Sequence, residues 1–180
     1  MSAPLIVVDE RNVPIGEATR EDVHARALWH RAIHCLVQDR RRHVFLALRD
    51  DVVCGDRFDV SLTEHVRPGE SFVDATRRGL ARRLGIPAVD VEAVTGVFAD
   101  RDVHDGGPEH DGRSLADYRF MQIFRARHDG AVALDRRVYQ GGIWLAPDEV
   151  DELVAAVPRR FAPHFLKDWV RVRAAVGTRP

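Results

Sequence analysis

Arg82 and Arg83 follow Gly79 at helical spacing, near the end of a segment with helical periodicity. Positions i, i+3 and i+4 of a helix share one face, so the two guanidinium groups and the open space over Gly79 belong to one surface. A guanidinium forks onto phosphate oxygens through charge-assisted hydrogen bonds, so anion recognition is the chemistry such a face offers. The plainer reading of the same pair is a solvated helix face. Of the 27 basic residues 26 are Arg, and Lys167 is the remaining one, so nearly every cation available to a site is a guanidinium. A mid-helix Gly costs roughly 1 kcal/mol against Ala, which points to packing or access at position 79. Cys35 and Cys54 form no CxxC pair and offer no metal spacing; they read as a buried thiol and a loop thiol.

The elements that must position these residues follow from pattern. Leu5–Asp9 is a short apolar run and Glu10–Val13 a turn. Thr19-Arg20-Glu21-Asp22 is an N-cap with acidic first-turn residues, opening a helix to about Ala27. Ala32–Val37 and His43–Leu48 read as a hairpin around Asp39–Arg42, with Asp50–Asp59 a loop. Pro68-Gly69-Glu70-Ser71 punctuates the chain before a helix over Ser71–Leu84, which Gly85 closes. Its Val73, Leu80 and Leu84 mark the buried face. Val89–Ala99 and Tyr118–Arg127 are expected strands on either side of a polar loop, Arg101–Ser114. A short strand at Ile143–Leu145, a helix from Ala146-Pro147-Asp148-Glu149 and a final amphipathic helix over Ala162–Val176 complete the chain. At 180 residues the pattern predicts a single mixed α/β domain over 1–180. No apolar run approaches the ~20 residues of a bilayer span, and the N-terminus lacks a secretion pattern, so a cytoplasmic protein without membrane contact is expected. A formal charge of −1 and no basic stripe argue against a nucleic-acid partner.

The segment from Glu64 to Ile86 resembles the Nudix box: Gly, five residues, Glu, seven residues, Arg-Glu, an apolar residue, one residue, Glu-Glu, one residue, Gly, an apolar residue. Glu70, Arg78, Leu80, Gly85 and Ile86 match in register. The flanks VVDERNVPIGEATREDVHARALWHRAIHCLV and IWLAPDEV resemble the subgroup similar to type I isopentenyl diphosphate isomerase. The resemblance implies a Nudix-like α/β/α sandwich, α+β in class, with a mixed sheet flanked by helices. It also exposes departures. The first Gly of the box is Glu64, and the three carboxylate positions are Gly79, Arg82 and Arg83. In an active hydrolase that face holds carboxylates around Mg²⁺, which neutralises the diphosphate and activates water. Two positive charges and a glycine repel such an ion, so the standard box metal site is absent and the arginines are candidates to bind phosphate directly, with Arg49 and Arg119 counted beside them.

The isomerase resemblance implies a second metal site, with matching positions His24, His30, His65, Asp117 and Arg119. Imidazole and carboxylate suit Zn, Mn or Fe, and His24 lies one residue out of the family spacing. Arg119 opposes a metal, and could instead bridge to Asp117 or Glu64. The isomerase's acid–base Cys and Glu correspond to Thr63 and Arg119, and its tryptophan to Arg159, so ordinary isomerisation is not expected. Three functions stay open. One is a protein that binds a nucleoside or isoprenoid diphosphate with Mg-dependent hydrolysis lost or altered. The second is an active metal-dependent enzyme, with Glu64, Glu70 and Asp117 as candidate catalytic carboxylates and a divalent metal (Mg, Mn or Zn) at His24, His30, His65 and Asp117. The third is a non-catalytic regulatory module.

Overall fold

The computed structural model describes residues 3–50, 56–87, 89–104 and 115–177. In chain order its elements are β1 (Leu5–Val8), β2 (Pro14–Ala18), α1 (Arg20–Ala25), β3 (His30–Gln38), β4 (Val44–Arg49), β5 (Phe58–Asp59) and β6 (Leu62–His65). There follow α2 (Phe72–Leu84), β7 (Val91–Ala93), β8 (Phe98–His104), β9 (Leu115–Arg127), β10 (Tyr139–Leu145), α3 (Pro147–Ala156) and α4 (Pro163–Val176). The expected α+β class, with a mixed sheet and flanking helices, is what forms. Among the described residues no helix is long and apolar enough to cross a membrane.

The chain divides into two compact units. The first takes residues up to Ile33, Glu64–Ala75 and Gly96–Gln122; the second takes His34–Thr63, Thr76–Thr95 and the chain from Ile123 onward. In the first unit β1 pairs antiparallel with β2, and Val7 sits opposite His30 at the start of β3. The β8–β9 ribbon is antiparallel, with Asp100 opposite Arg119 and Asp102 opposite Asp117. Alternation along a strand then puts these four side chains on one face. Helix α1 starts as the sequence predicts: Thr19 Oγ1 accepts from the Asp22 N–H at 3.1 Å. It ends at Ala25, because Ala27 turns into the left-handed region (φ 51°) and the Leu28 N–H returns to the Val23 carbonyl at 2.9 Å.

In the second unit β4 is the centre, paired with β3, β5 and β10. Helix α4 buries His164, Phe165, Asp168, Trp169, Val172 and Val176 along one stripe. Its Phe165 and Trp169 stack in sequence with Phe161, Phe161 on Phe165 at 5.1 Å and Phe165 on Trp169 at 5.8 Å. Cys35 is buried as expected, and burial pushes its thiol pKa up; Cys54 lies outside the described residues.

Several sequence expectations are corrected. The single strand expected over Val89–Ala99 is broken into β7 and β8. The Val94 and Thr95 N–H groups both reach the Ile123 carbonyl (2.8 and 3.3 Å), and the Thr95 hydroxyl accepts from the Ile123 N–H at 3.0 Å. A side chain that satisfies its partner strand in this way interrupts the ladder. Arg101–His104, expected in a loop, continues β8; 105–114 lie outside the described residues. Phe58–Asp59 leaves the expected loop to pair with β4. On α2, Val73 is only half-buried, and Ala75, Thr76, Leu80 and Leu84 carry the buried face.

Gly85 closes α2 at φ +64°, and a Cβ there would lie 2.7 Å from the Ala133 Cβ. The Ala133 N–H holds the Leu84 carbonyl at 2.9 Å, so this segment cannot simply move away. Gly85→Ala is therefore expected to cost about 1–3 kcal/mol through left-handed strain and the clash. Urea unfolding of the variant checks this, and an unchanged midpoint would refute it.

Candidate functional site

The first unit brings His24, His30, His65 and Asp117 together. The three imidazoles form a triangle with ring centroids 5.6, 5.6 and 5.2 Å apart. Asp117 Oδ1 lies 3.6 Å from His24 Nδ1 and 3.4 Å from His30 Nε2. His24, one residue out of the family spacing, still takes its place because α1 is short and its chain reverses at Ala27.

His30 is fully buried, and its orientation is set by the backbone. Nδ1 lies 3.1 Å from the Leu28 carbonyl, so it carries the proton and donates. Nε2 then presents a lone pair toward Asp117 Oδ1, and it has no hydrogen-bond partner. Burial, set against the attraction of Asp117, lowers the His30 pKa to about 4, so this imidazole is neutral near pH 7. Burial likewise lowers His65 well below its ordinary value, with His30 and His24 adding to the shift. Two acceptors facing each other across 3.4 Å repel, and a shared proton or a bound cation would each relieve that repulsion.

Arg119 stands on the other side of Asp117. Its guanidinium meets Asp117 Oδ2 at 3.2 Å, Asp100 Oδ2 at 2.5 Å and Asp102 Oδ2 at 2.8 Å. It is 7% exposed, and despite burial the three carboxylates hold it firmly charged. The bridge to Asp117 was foreseen, whereas Asp100 and Asp102 were not. The signal for them is their i, i+2 spacing within Ala99-Asp100-Arg101-Asp102-Val103, an alternation masked by the polar composition from Arg101 onward.

The other candidates are placed more locally. Glu64 is half-buried, and its Oε1 accepts from the His65 N–H at 3.2 Å. Glu70 caps the turn before α2, accepting from the Arg67 N–H at 2.9 Å. In the second unit Gly79 is buried, Arg82 exposed, and Arg83 ion-paired with Asp135 at 2.6 Å. Arg49 donates to the Thr63 hydroxyl at 2.5 Å and approaches Asp59 at 3.5 Å. Arg83 and Arg119 are thus held by different carboxylates, where the sequence suggested a common phosphate cluster.

No family model matches the chain. It is 27% identical to an isopentenyl-diphosphate Delta-isomerase 2 of Aromatoleum aromaticum, over 84% of this chain and 71% of that protein. It is 33% identical to an uncharacterized Nudix hydrolase of Clostridium acetobutylicum, over 57% of this chain and 52% of that one. Among solved structures, the NUDIX domain of Shewanella oneidensis NrtR, complexed with ADP ribose, superposes with a TM-score of 0.58 at 10% identity. That match covers 81% of this chain and 86% of that one. The fold is the Nudix fold. Relatives of both names, hydrolase and isomerase, are those the box and its flanks led one to expect.

The metal that the isomerase resemblance implies can be tested against the residues present. Among the described residues no group of three or more His, Cys, Asp or Glu stands ready-made around an ion. Centroid spacings of 5.2–5.6 Å do not by themselves place three donor nitrogens about one point at metal–nitrogen distances of about 2.0–2.1 Å. The donor chemistry can be set beside that. His30 donates its outer N–H to a backbone carbonyl, as metal-ligating imidazoles do, and is neutral and buried. Three carboxylates shared by one guanidinium leave two negative charges, the number that a divalent ion neutralises.

Proposed function

We propose that the protein binds a diphosphate-containing small molecule with the help of one divalent ion held by His24, His30, His65 and Asp117, and not by the Nudix-box helix. The observation that carries this reading is the His30 Nε2 lone pair facing Asp117 Oδ1 at 3.4 Å, at the centre of three imidazoles. A bound ion there would supply Lewis-acid neutralisation of a diphosphate. The chain's own residues do the rest. His30 and His65 stay neutral because they are buried. The ADP ribose bound by the NrtR Nudix domain and the diphosphate named for the isomerase relative support this ligand class.

Ordinary Nudix hydrolysis is not part of the proposal. Gly79, Arg82 and Arg83 supply no carboxylate to the helix, and Thr63 is no proton source for isomerisation. A second reading, binding without turnover, is favoured by that same helix.

The test is metal analysis of the protein as purified, then thermal unfolding with Zn²⁺ or Mn²⁺ and a set of nucleoside and isoprenyl diphosphates. The expected result is an ion whose removal by chelator lowers the melting temperature, with a further rise on adding diphosphate. His30→Ala should abolish the metal effect. Absence of bound ion and of any metal-induced shift would overturn the metal half. A flat diphosphate titration would overturn the ligand half, and turnover of the diphosphate separates enzyme from binding protein.

A further inference from the structure

We infer that the second unit carries a ligand site of its own, a cleft for an organic anion whose compact charged group is joined to a flat ring, as in a nucleoside monophosphate. The cleft encloses about 340 Å³, the scale of a small-ligand site, and Arg40, Arg41, His128, Asp129 and Trp144 are among its walls. All of its lining residues belong to the second unit, so the inference is independent of the histidine–aspartate reading above.

The turn between β3 and β4 is fixed, and the carboxylates near it are already engaged. Asp39 Oδ1 accepts from the His43 N–H at 2.8 Å, and its Oδ2 lies 3.2 Å from His43 Nδ1. The Arg40 N–H donates to Asp129 Oδ1 at 2.7 Å, and the His128 N–H donates to the Gln38 carbonyl at 3.0 Å. These two bonds tie the turn to the end of β9. Arg40 and Arg41 are exposed, and among the described residues neither guanidinium has a hydrogen bond or an ion pair. Two such forked cations at adjacent positions of a fixed turn suit one phosphate or carboxylate group.

The cleft also offers a place for a ring. Trp144 is half-buried on β10, its indole 5.3 Å from the Phe45 ring and inclined to it by 60°. An indole beside an anion site gives a stacking face that inorganic phosphate cannot use. His128 Nε2 donates to the Ala131 carbonyl at 3.2 Å, which leaves the Nδ1 lone pair for a ligand N–H or O–H. Gly130 admits this imidazole, since a Cβ there would lie 2.9 Å from its Cε1 and Nε2 atoms.

The experiment titrates the full-length protein with AMP, adenosine and inorganic phosphate at low salt in the presence of EDTA, by calorimetry and by tryptophan emission. AMP is expected to bind with a Kd below about 1 mM, at least ~10-fold tighter than either fragment, and to quench the emission. Losing one charge-assisted hydrogen bond costs about tenfold or more in affinity, so Arg40→Gln and Arg41→Gln should each weaken AMP by that factor. Both are exposed turn positions, so neither change disturbs the core. Trp144→Phe keeps a flat ring and should remove the quench while retaining most of the AMP affinity. AMP that binds no tighter than phosphate, an affinity that survives both arginine variants, or no AMP binding at all overturns the inference. Binding that appears only when Zn²⁺ or Mn²⁺ replaces EDTA also overturns it, and assigns AMP instead to the metal-dependent site of the proposed function.

Discussion

Asp59→Ala should lower the unfolding free energy by about 3–5 kcal/mol at neutral pH, the range for breaking a buried ion pair from one side. Asp59 is fully buried in the second unit. His164 Nε2 lies 2.8 and 2.9 Å from its two oxygens, the Val60 N–H donates to it at 2.7 Å, and Arg49 stands 3.5 Å away. The His164 ring lies 5.0 Å from the His34 ring, and His34 in turn is held by Asp168. Removing one carboxylate thus withdraws the charge that an imidazole and a guanidinium share. Asp59→Asn, which keeps the shape and loses only the charge, should cost less. Burial opposes ionisation of Asp59, yet His164, Arg49 and His34 together hold its carboxyl well below the usual carboxylate range. A depressed carboxylate stabilises the fold in full above its unfolded value of about 3.9, and that contribution disappears as pH falls through the lower folded value. The deficit of Asp59→Asn should therefore be constant from pH 7 to 5 and shrink below about pH 4. Urea unfolding across that range measures it, and a deficit that ignores pH would show that shape, not charge, is what matters at position 59.

Asp59 also shows where the sequence stops being legible. Periodicity located α2, the Thr19 cap, the Gly85 stop and the β3–β4 hairpin, because each rests on neighbours in sequence. The box and its flanks led to the Nudix fold and to the His24, His30, His65 and Asp117 group, whose members the first unit assembles. What pairs with them was hidden. Asp59 and His164 are 105 residues apart, His34 and Asp168 are 134 apart, and no local pattern links a buried imidazole to its carboxylate at that range. Asp100 and Asp102 are obscured for a local reason, because the polar composition from Arg101 onward reads as loop where β8 continues to His104. The box offers Arg83 as a phosphate ligand from its own helix face alone. Asp135, which takes it, lies 52 residues away.

Arg83→Glu should be destabilising by about 2–4 kcal/mol, since it exchanges a charge-assisted hydrogen bond for repulsion at a partly buried site. Arg83 NH1 donates to Asp135 Oδ2 at 2.6 Å, and the Asp135 side chain is only 7% exposed. Arg137 first, and Arg83 after it, keep the Asp135 carboxyl below its ordinary range, so it is a full negative charge at neutral pH. The backbone locks the partners further, because the Asp135 N–H donates to the Arg83 carbonyl at 2.8 Å and closes the C-terminal turn of α2. This bears on any attempt to restore the box through Gly79→Glu, Arg82→Glu and Arg83→Glu. Sequence alone suggests that three carboxylates would recover an Mg²⁺ site. The structure adds that position 79 is buried and that an acid at 83 would confront Asp135. The triple variant should accordingly be weakly folded without Mg²⁺ and strongly stabilised by it, and adding Asp135→Asn should restore much of its stability in metal-free buffer. For Arg83→Glu alone, the loss should shrink as salt is raised to roughly 0.5 M, where exposed parts of the repulsion are screened. A double-mutant cycle of Arg83→Gln with Asp135→Asn isolates the pair, and a coupling energy indistinguishable from zero would return Arg83 to the phosphate-binding role its sequence position suggests.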